Sequence, residues 1–392
     1  MLFSEIARTD TRPMSYGEPL FAYLDSSGRI SATNARQILN TWFEHYPDRE
    51  KEEFANRFRS SNNTSFLSAF FELYLHELLR RLGYKLTIHP SLSTSSSKHP
   101  DFLADNPGGN DFYLESVVAF DISNKEAAQK ALMNVVYDAI NTLNSPNFFL
   151  KMTVRGSPNT QPPGTKIRSA LSDWLGQLNV DEVTRLYVEK GITALPHMSL
   201  RYGSCTMKFS ALPKSQEARG KPGARPLGIH MPAHIQIDRS KEVIKKSLVK
   251  KRPAQYGDFD KPYVIAVNAA GMNCDYEDSI DALFGDQRWA IPQTLDKAEL
   301  IPMPRKQNGF WWGRSGCQNK RVSAVLITNL SSPSQIAKAD ICVFHNPWAK
   351  YPLRGELSQL TEAIPEKERI RFKQGKHPKE IFDLPDIWPG EK

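Results

Sequence analysis

At 392 residues, with 40% hydrophobic and 24% charged side chains, the chain can bury a substantial core and has room for several domains or one elaborated domain. No apolar run nears the roughly 18–20 residues of a bilayer-spanning helix, and Met1-Leu2-Phe3-Ser4-Glu5 lacks a basic-then-apolar leader pattern, so a cytoplasmic protein without a membrane partner is expected. Four scattered cysteines (Cys205, Cys274, Cys317, Cys342) argue against a disulfide framework or a zinc site, and the net charge of +8 is concentrated between Arg201 and Lys261, where 14 Lys/Arg face 5 Asp/Glu.

Residues 1–60 read as helical after an irregular start. Ile38, Leu39, Trp42 and Phe43 recur at helical spacing, and Pro47 ends that run. A second helix is expected from an N-cap at Thr64 to a stop at Gly83. Its apolar residues, Phe66, Phe70, Leu73, Leu78, Leu79 and Leu82, are too many for one face, so most of its circumference must be covered. Short strands follow at Tyr84–His89, Asp101–Ala104 and Phe112–Phe120, the last two separated by the turn composition Asn106-Pro107-Gly108-Gly109-Asn110. Asn124–Leu143 reads as a helix and Phe148–Val154 as a strand; Gly156–Gly164 is a connector.

Beyond it, Lys166–Lys190 is expected to be helical and Leu200–Leu212 a strand. A flexible basic loop carries Arg219, Lys221 and Arg225, and Ser240–Arg252 is a basic helix. Pro262–Ala269, Val322–Thr328 and Ile341–His345 read as strands and Tyr276–Phe284 as a short helix, while the charged tail after Pro352 reads as peripheral.

Three acids stand out against this pattern. Glu72 lies mid-helix between Phe71 and Leu73; Asp101 opens a strand after Pro100; Glu115 interrupts Phe112-Tyr113-Leu114 and Val117-Val118. An unpaired carboxylate in such surroundings is costly, and two facing strand carboxylates repel unless a cation relieves them. Hard oxygen ligands gathered this way suit Mg²⁺ or Mn²⁺. A solvent-facing acid on each element is the bland alternative, least satisfying for Glu115.

The pieces Phe71-Glu72-Leu73, Pro100-Asp101-Phe102 and Tyr113-Leu114-Glu115, with the helix and strand of Asn124–Val154, resemble the PD-(D/E)XK, or restriction-endonuclease-like, superfamily over about residues 64–155. The resemblance implies an α/β (α+β) fold: an αβββαβ core with a mixed sheet in 64–155, a helical segment 1–63 before it, and after it a basic α+β region 156–392, either a module of its own or an extension of the core sheet. It also implies Asp101 and Glu115 as metal ligands, Glu72 as an accessory ligand, and a metal-dependent DNA endonuclease activity in defence or DNA processing. The family's lysine position holds Val117, which can neither bind nor donate. Ser116 should face the other side of the sheet. Lys130 and Lys98, and less specifically Lys125 and Lys85, are the substitutes considered.

The basic helix offers Lys241, Lys245, Lys246, Lys250, Lys251 and Arg252, and the loop Arg219, Lys221 and Arg225, as phosphate contacts that would position duplex DNA without reading bases. Phe310-Trp311-Trp312-Gly313-Arg314 offers a base-stacking platform or, equally, core packing. His345 is a loop-edge residue, and His76, one turn after Glu72, is a core or rim histidine. Two other functions fit the same residues: a nuclease-fold protein that binds nucleic acid without cleaving it, and a scaffold for an acidic partner. A homodimer is compatible with each.

Overall fold

The computed structural model describes residues 1–92, 98–106, 108–109, 111–120, 124–221, 225–232, 240–257, 260–270, 272, 274–290, 301–366 and 369–390. In chain order the first helices are α1 (Leu20–Ser26), α2 (Ile30–Glu44), α3 (Lys51–Phe58) and α4 (Asn63–Arg81), followed by β1 (Lys85–Ile88), β2 (Phe102–Asp105) and β3 (Phe112–Val118). Next come α5 (Asn124–Asn141), β4 (Phe148–Arg155), α6 (Gly164–Gly176), α7 (Val180–Lys190), β5 (His197–Tyr202), β6 (Cys205–Pro213) and β7 (Leu227–Pro232). The remainder holds α8 (Ser240–Lys250), β8 (Tyr263–Asn268), α9 (Tyr276–Phe284), β9 (Arg288–Ala290), β10 (Ile301–Met303), β11 (Trp312–Gly313) and β12 (Gly316–Cys317). It closes with β13 (Ala324–Thr328), β14 (Ile341–His345), β15 (Thr361–Glu366), β16 (Arg369–Lys373) and α10 (Pro378–Ile381).

The chain divides into two compact units. The first is built from residues 1–12, 19–121 and 238–392, the second from 13–18 and 122–237. The first unit is a mixed α/β structure around an eight-stranded sheet of order β1-β2-β3-β8-β13-β14-β15-β16. The β1/β2, β2/β3, β13/β14 and β15/β16 pairs are antiparallel, whereas β3/β8, β8/β13 and β14/β15 are parallel. Helices cover both faces. On one, α2, α3 and α4 pack with Phe102, Phe112, Leu114, Val264 and Leu326. On the other, α8 and α9 pack with Tyr113, Ile265, Val267, Val325 and Phe344.

This two-sided cover explains why β8 and β13 are buried at every position and apolar up to their last residues, Asn268 and Thr328: with helices above and below, neither set of alternating side chains meets water. It also explains the all-round apolar surface of α4, which is wedged between the sheet and the other N-terminal helices. The helix is capped by Asn62, whose side chain accepts from the Thr64 and Ser65 amides at 2.8 and 3.3 Å, rather than by Thr64. It ends where Gly83 adopts φ +95°, a conformation that a side chain resists.

The second unit is a four-stranded sheet of order β5-β6-β4-β7 with α5, α6 and α7 packed on one face. The expected helix and strand at Asn124–Val154 are present as α5 and β4, but β4 pairs with β6 and β7, so they do not complete the β1–β3 sheet. The helix and strand that follow β3 in the first unit are α8 and β8, more than a hundred residues further on. The expected 64–155 core is therefore replaced by one that spans the second unit in sequence. Of the region 156–392, the strands β8 and β13 to β16 extend the β1–β3 sheet, one of its two expected arrangements, while 156–237 belong to the second unit.

Smaller expectations are corrected too. Lys166–Lys190 splits into α6 and α7 because Asn179 caps a new helix, accepting from the Asp181 amide at 2.9 Å. Leu200–Leu212 is a hairpin, turning at Gly203-Ser204. The tail is not peripheral: β15 and β16 extend the main sheet, and Leu357, Leu360 and Ala363 are buried. Among the described residues, no helix is long and apolar enough to cross a membrane.

Candidate active site

The β2/β3 register pairs Phe102 with Leu114 and Leu103 with Tyr113, so one further step sets Asp101 opposite Glu115. The Asp101 amide donates to Glu115 Oε2 at 3.2 Å. Asp101 Oδ2 in turn accepts from the Ser116 amide at 2.7 Å and from Ser116 Oγ at 2.5 Å. Ser116 thus holds Asp101 in place; it does not fill the missing lysine position.

Glu115 is 2% exposed. Along β3, Phe112 and Leu114 join the core under α4 while Tyr113 and Val117 pack into the core under α8. Alternation therefore places Glu115 on the α8 face. There Lys251, the residue immediately after α8, donates Nζ to Glu115 Oε1. The Tyr256 hydroxyl also hydrogen-bonds Glu115. The Lys251 carbonyl accepts from the Tyr263 hydroxyl at 2.8 Å, which fixes the end of the helix from the neighbouring strand.

Burial lifts the Glu115 carboxyl to about 7, and the charge of Asp101 pushes the same way, while Lys251 and Tyr256 pull it down. Burial opposes the charged form of Lys251, but Glu115 and then Asp101 and Glu72 outweigh it, so its ammonium is held above the ordinary range. The three acids expected from the sequence therefore share one electrostatic neighbourhood with a lysine that was assigned there only to phosphate contact.

Glu72 is differently engaged. Arg57 grips it with two bonds, of 2.7 Å to Oε2 and 3.1 Å to Oε1, and the Tyr46 hydroxyl donates to Oε1 at 2.5 Å. Burial and the neighbouring Glu72 charge push the Tyr46 hydroxyl far above its usual value. With both oxygens engaged by Arg57 and Tyr46, Glu72 anchors α3 against α4. His76 is 4% exposed and its Nδ1 has no hydrogen-bond partner; burial lowers it to about 4, so it is a neutral core ring beside Tyr46.

Among the described residues, no three His, Cys, Asp or Glu side chains gather as a metal-ligand set. The donor chemistry that remains is the Asp101/Glu115 pair. Two carboxylates fit Mg²⁺, which keeps several waters and takes substrate phosphate oxygens as further ligands. Burial first, and the Asp101 charge second, raise the Glu115 carboxyl, and a divalent cation would relieve the like-charge part.

The substitutes considered for the lysine fall on other elements. Lys130 and Lys125 lie on α5, in the second unit. Lys98 donates to Gln255 at 3.3 Å, and Lys85 is exposed at the edge strand β1. A usable signal was present in the sequence. Tyr263–Val267 is continuously apolar, as a central strand covered on both faces must be, whereas Phe148–Arg155 alternates as a one-sided strand does. The helix before the continuous strand is α8, and Lys251 follows it immediately.

The basic residues are also partly committed. Lys241 pairs with Asp286 at 2.8 Å and Lys245 donates to the Asn308 carbonyl at 2.9 Å, which leaves Lys246, Lys250 and Arg252 as the exposed cations of that segment. Arg252 bonds the Val249 carbonyl at 3.1 Å. In the other unit, Arg219 pairs with Asp181 at 2.6 Å and Arg225 bonds the Pro13 carbonyl at 2.7 Å, while Lys221 is exposed. The basic stretch Arg201–Lys261 is thus shared between two units. Trp311 is fully buried against Phe284 and packs internally, whereas Trp312 is half-buried and stacks on the half-buried Trp348. His345 bonds Glu362 at 2.9 Å. Comparison of the chain with family models, curated protein sequences and solved structures finds no match.

Proposed function

We propose that the protein is a divalent-metal-dependent nuclease that hydrolyses phosphodiester bonds of DNA at Asp101, Glu115 and Lys251. The observation that carries this reading is the Lys251–Glu115 contact, because it supplies a cation beside the two strand carboxylates where Val117 supplies none. The order α4, β1, β2, β3, α8, β8, with β3 and β8 parallel, supports the resemblance to the restriction-endonuclease-like core.

In this reading Asp101 and Glu115 would hold Mg²⁺ or Mn²⁺, whose chemistry is to neutralise and polarise a phosphoryl oxygen. Ser116 orients Asp101 through two hydrogen bonds. Lys251, delivered by the end of α8 and fixed by Tyr263, presents an ammonium that can orient a water or stabilise charge developing on phosphate. Glu72, Arg57 and Tyr46 position α4 behind them.

The test is cleavage of plasmid and linear DNA with Mg²⁺ or Mn²⁺ by the wild type and by Asp101→Ala, Glu115→Ala and Lys251→Met. Loss of cleavage in all three variants is expected; cleavage equal to wild type in all of them refutes the site. A second reading, a nuclease-fold protein that binds DNA without cutting it, is favoured by the engagement of Glu72 with Arg57 and Tyr46 and the absence of a three-acid ligand set among the described residues. It requires metal-independent DNA binding with no cleavage by the wild type.

A further inference from the structure

The second unit carries 14 Lys/Arg against 8 Asp/Glu, six of the chain's eight surplus positive charges. Among the described residues of this unit, its helices pack on one face of the sheet. Leu150, Met152, Val154, Cys205, Met207, Phe209 and Ala211 turn inward to the core formed with α5, α6 and α7. Alternation sends the intervening residues of β4, β5 and β6 to the other face.

The register orders those residues in rows. Arg201, Thr206 and Arg155 form one, Ser199, Lys208 and Thr153 the next, and His197, Ser210 and Lys151 the third. Four cations and four hydroxyls thus share one face with a histidine, and no Asp or Glu stands among the nine positions. The rows are about 7 Å apart and neighbouring strands about 4.8 Å, so the cations span roughly 14 Å along β4. Among the described residues, none of Lys151, Arg155, Lys208 and Arg201 makes an ion pair; Arg201 bonds only the Gly203 carbonyl, at 3.3 Å.

We propose that this open sheet face is a docking surface for the sugar–phosphate backbone of double-stranded DNA. Uncompensated cations interleaved with hydroxyl donors match a regularly spaced polyanion, and both residue types bond phosphate oxygens without reading bases. A single strand would call for exposed aromatic platforms, and the ring of Phe149, which alternation also sends to this face, has Lys214 Nζ 5.0 Å over it. The choice of DNA rests on the nuclease reading; the charge pattern that defines the surface does not.

The test is equilibrium binding of a labelled duplex to the full chain in EDTA over a salt series. The variants are the triple K151Q/R155Q/K208Q and a control triple, K166Q/R185Q/K190Q, which removes as many exposed cations from the helices of the same unit. With circular dichroism unchanged, the face triple is expected to flatten the slope of log K against log[salt] by about 3, and the control to leave it at the wild-type value. A wild-type slope in the face triple, or equal flattening in both triples, overturns the proposal. Tighter binding of single-stranded DNA or of duplex RNA than of duplex DNA overturns the assigned occupant. Because no divalent ion is present, a failure of cleavage in the separate Mg²⁺ assay counts against the nuclease reading and leaves this result standing.

Discussion

Glu115→Gln isolates the buried carboxyl at the centre of the site. Burial, joined by the charge of Asp101, holds the folded-state carboxyl at about 7 against an ordinary value of 4.5. Between those values the folded chain keeps a proton that the unfolded chain has released. This contribution to stability is therefore complete below the unfolded value and is lost as pH rises through about 7. At about 1.36 kcal/mol per unit, the loss is on the order of 3 kcal/mol. Lys251 titrates far above this window, its ammonium being stabilised by Glu115, Asp101 and Glu72. The assay is urea unfolding in EDTA at intervals from pH 5 to 8. The wild type should lose stability across that range, and Glu115→Gln should lose about 3 kcal/mol less, whatever its absolute stability. Parallel pH profiles in the two proteins would show that Glu115 is not the titrating group and would refute the buried-pair reasoning. Cleavage, if present, should rise with pH through the same window, because cation binding competes with the Glu115 proton.

Lys251→Met keeps the length of the side chain but removes its charge; turnover in Mg²⁺ should fall roughly 10²–10³-fold, while Lys98→Ala and Lys130→Ala stay near wild type in the same plasmid assay. Arg57→Ala strips the guanidinium from buried Glu72 and leaves only the Tyr46 bond, a loss of about 1–3 kcal/mol because Arg57 itself is partly screened by water; the urea midpoint reads it. Trp311→Ala should lower stability by about 3–5 kcal/mol with duplex affinity unchanged, since the ring packs on Phe284 inside the core; selective loss of binding would restore the stacking-platform idea.

The amino-acid pattern alone determined a good deal. The apolar circumference of α4, the strands β2 and β3, and the odd placement of Glu72, Asp101 and Glu115 are local properties, legible because burying a carboxylate is costly enough to mark its position. The pairing of Asp101 with Glu115 follows from a two-stranded register across a short turn, which is also local. What local pattern left open was the identity of β3's other neighbour. A parallel pair has no tight turn to reveal it, and any amount of chain can intervene between its strands. Here residues 122–237 intervene and contain a helix and strand of their own, so the helix–strand pair nearest to β3 in sequence is not the core's. Packing resolved it: only a strand buried on both faces fits beside β3, and Tyr263–Asn268 is such a strand. That choice brings α8 over Glu115 and places Lys251, from 136 residues away, against the carboxylate that the sequence left without a cation.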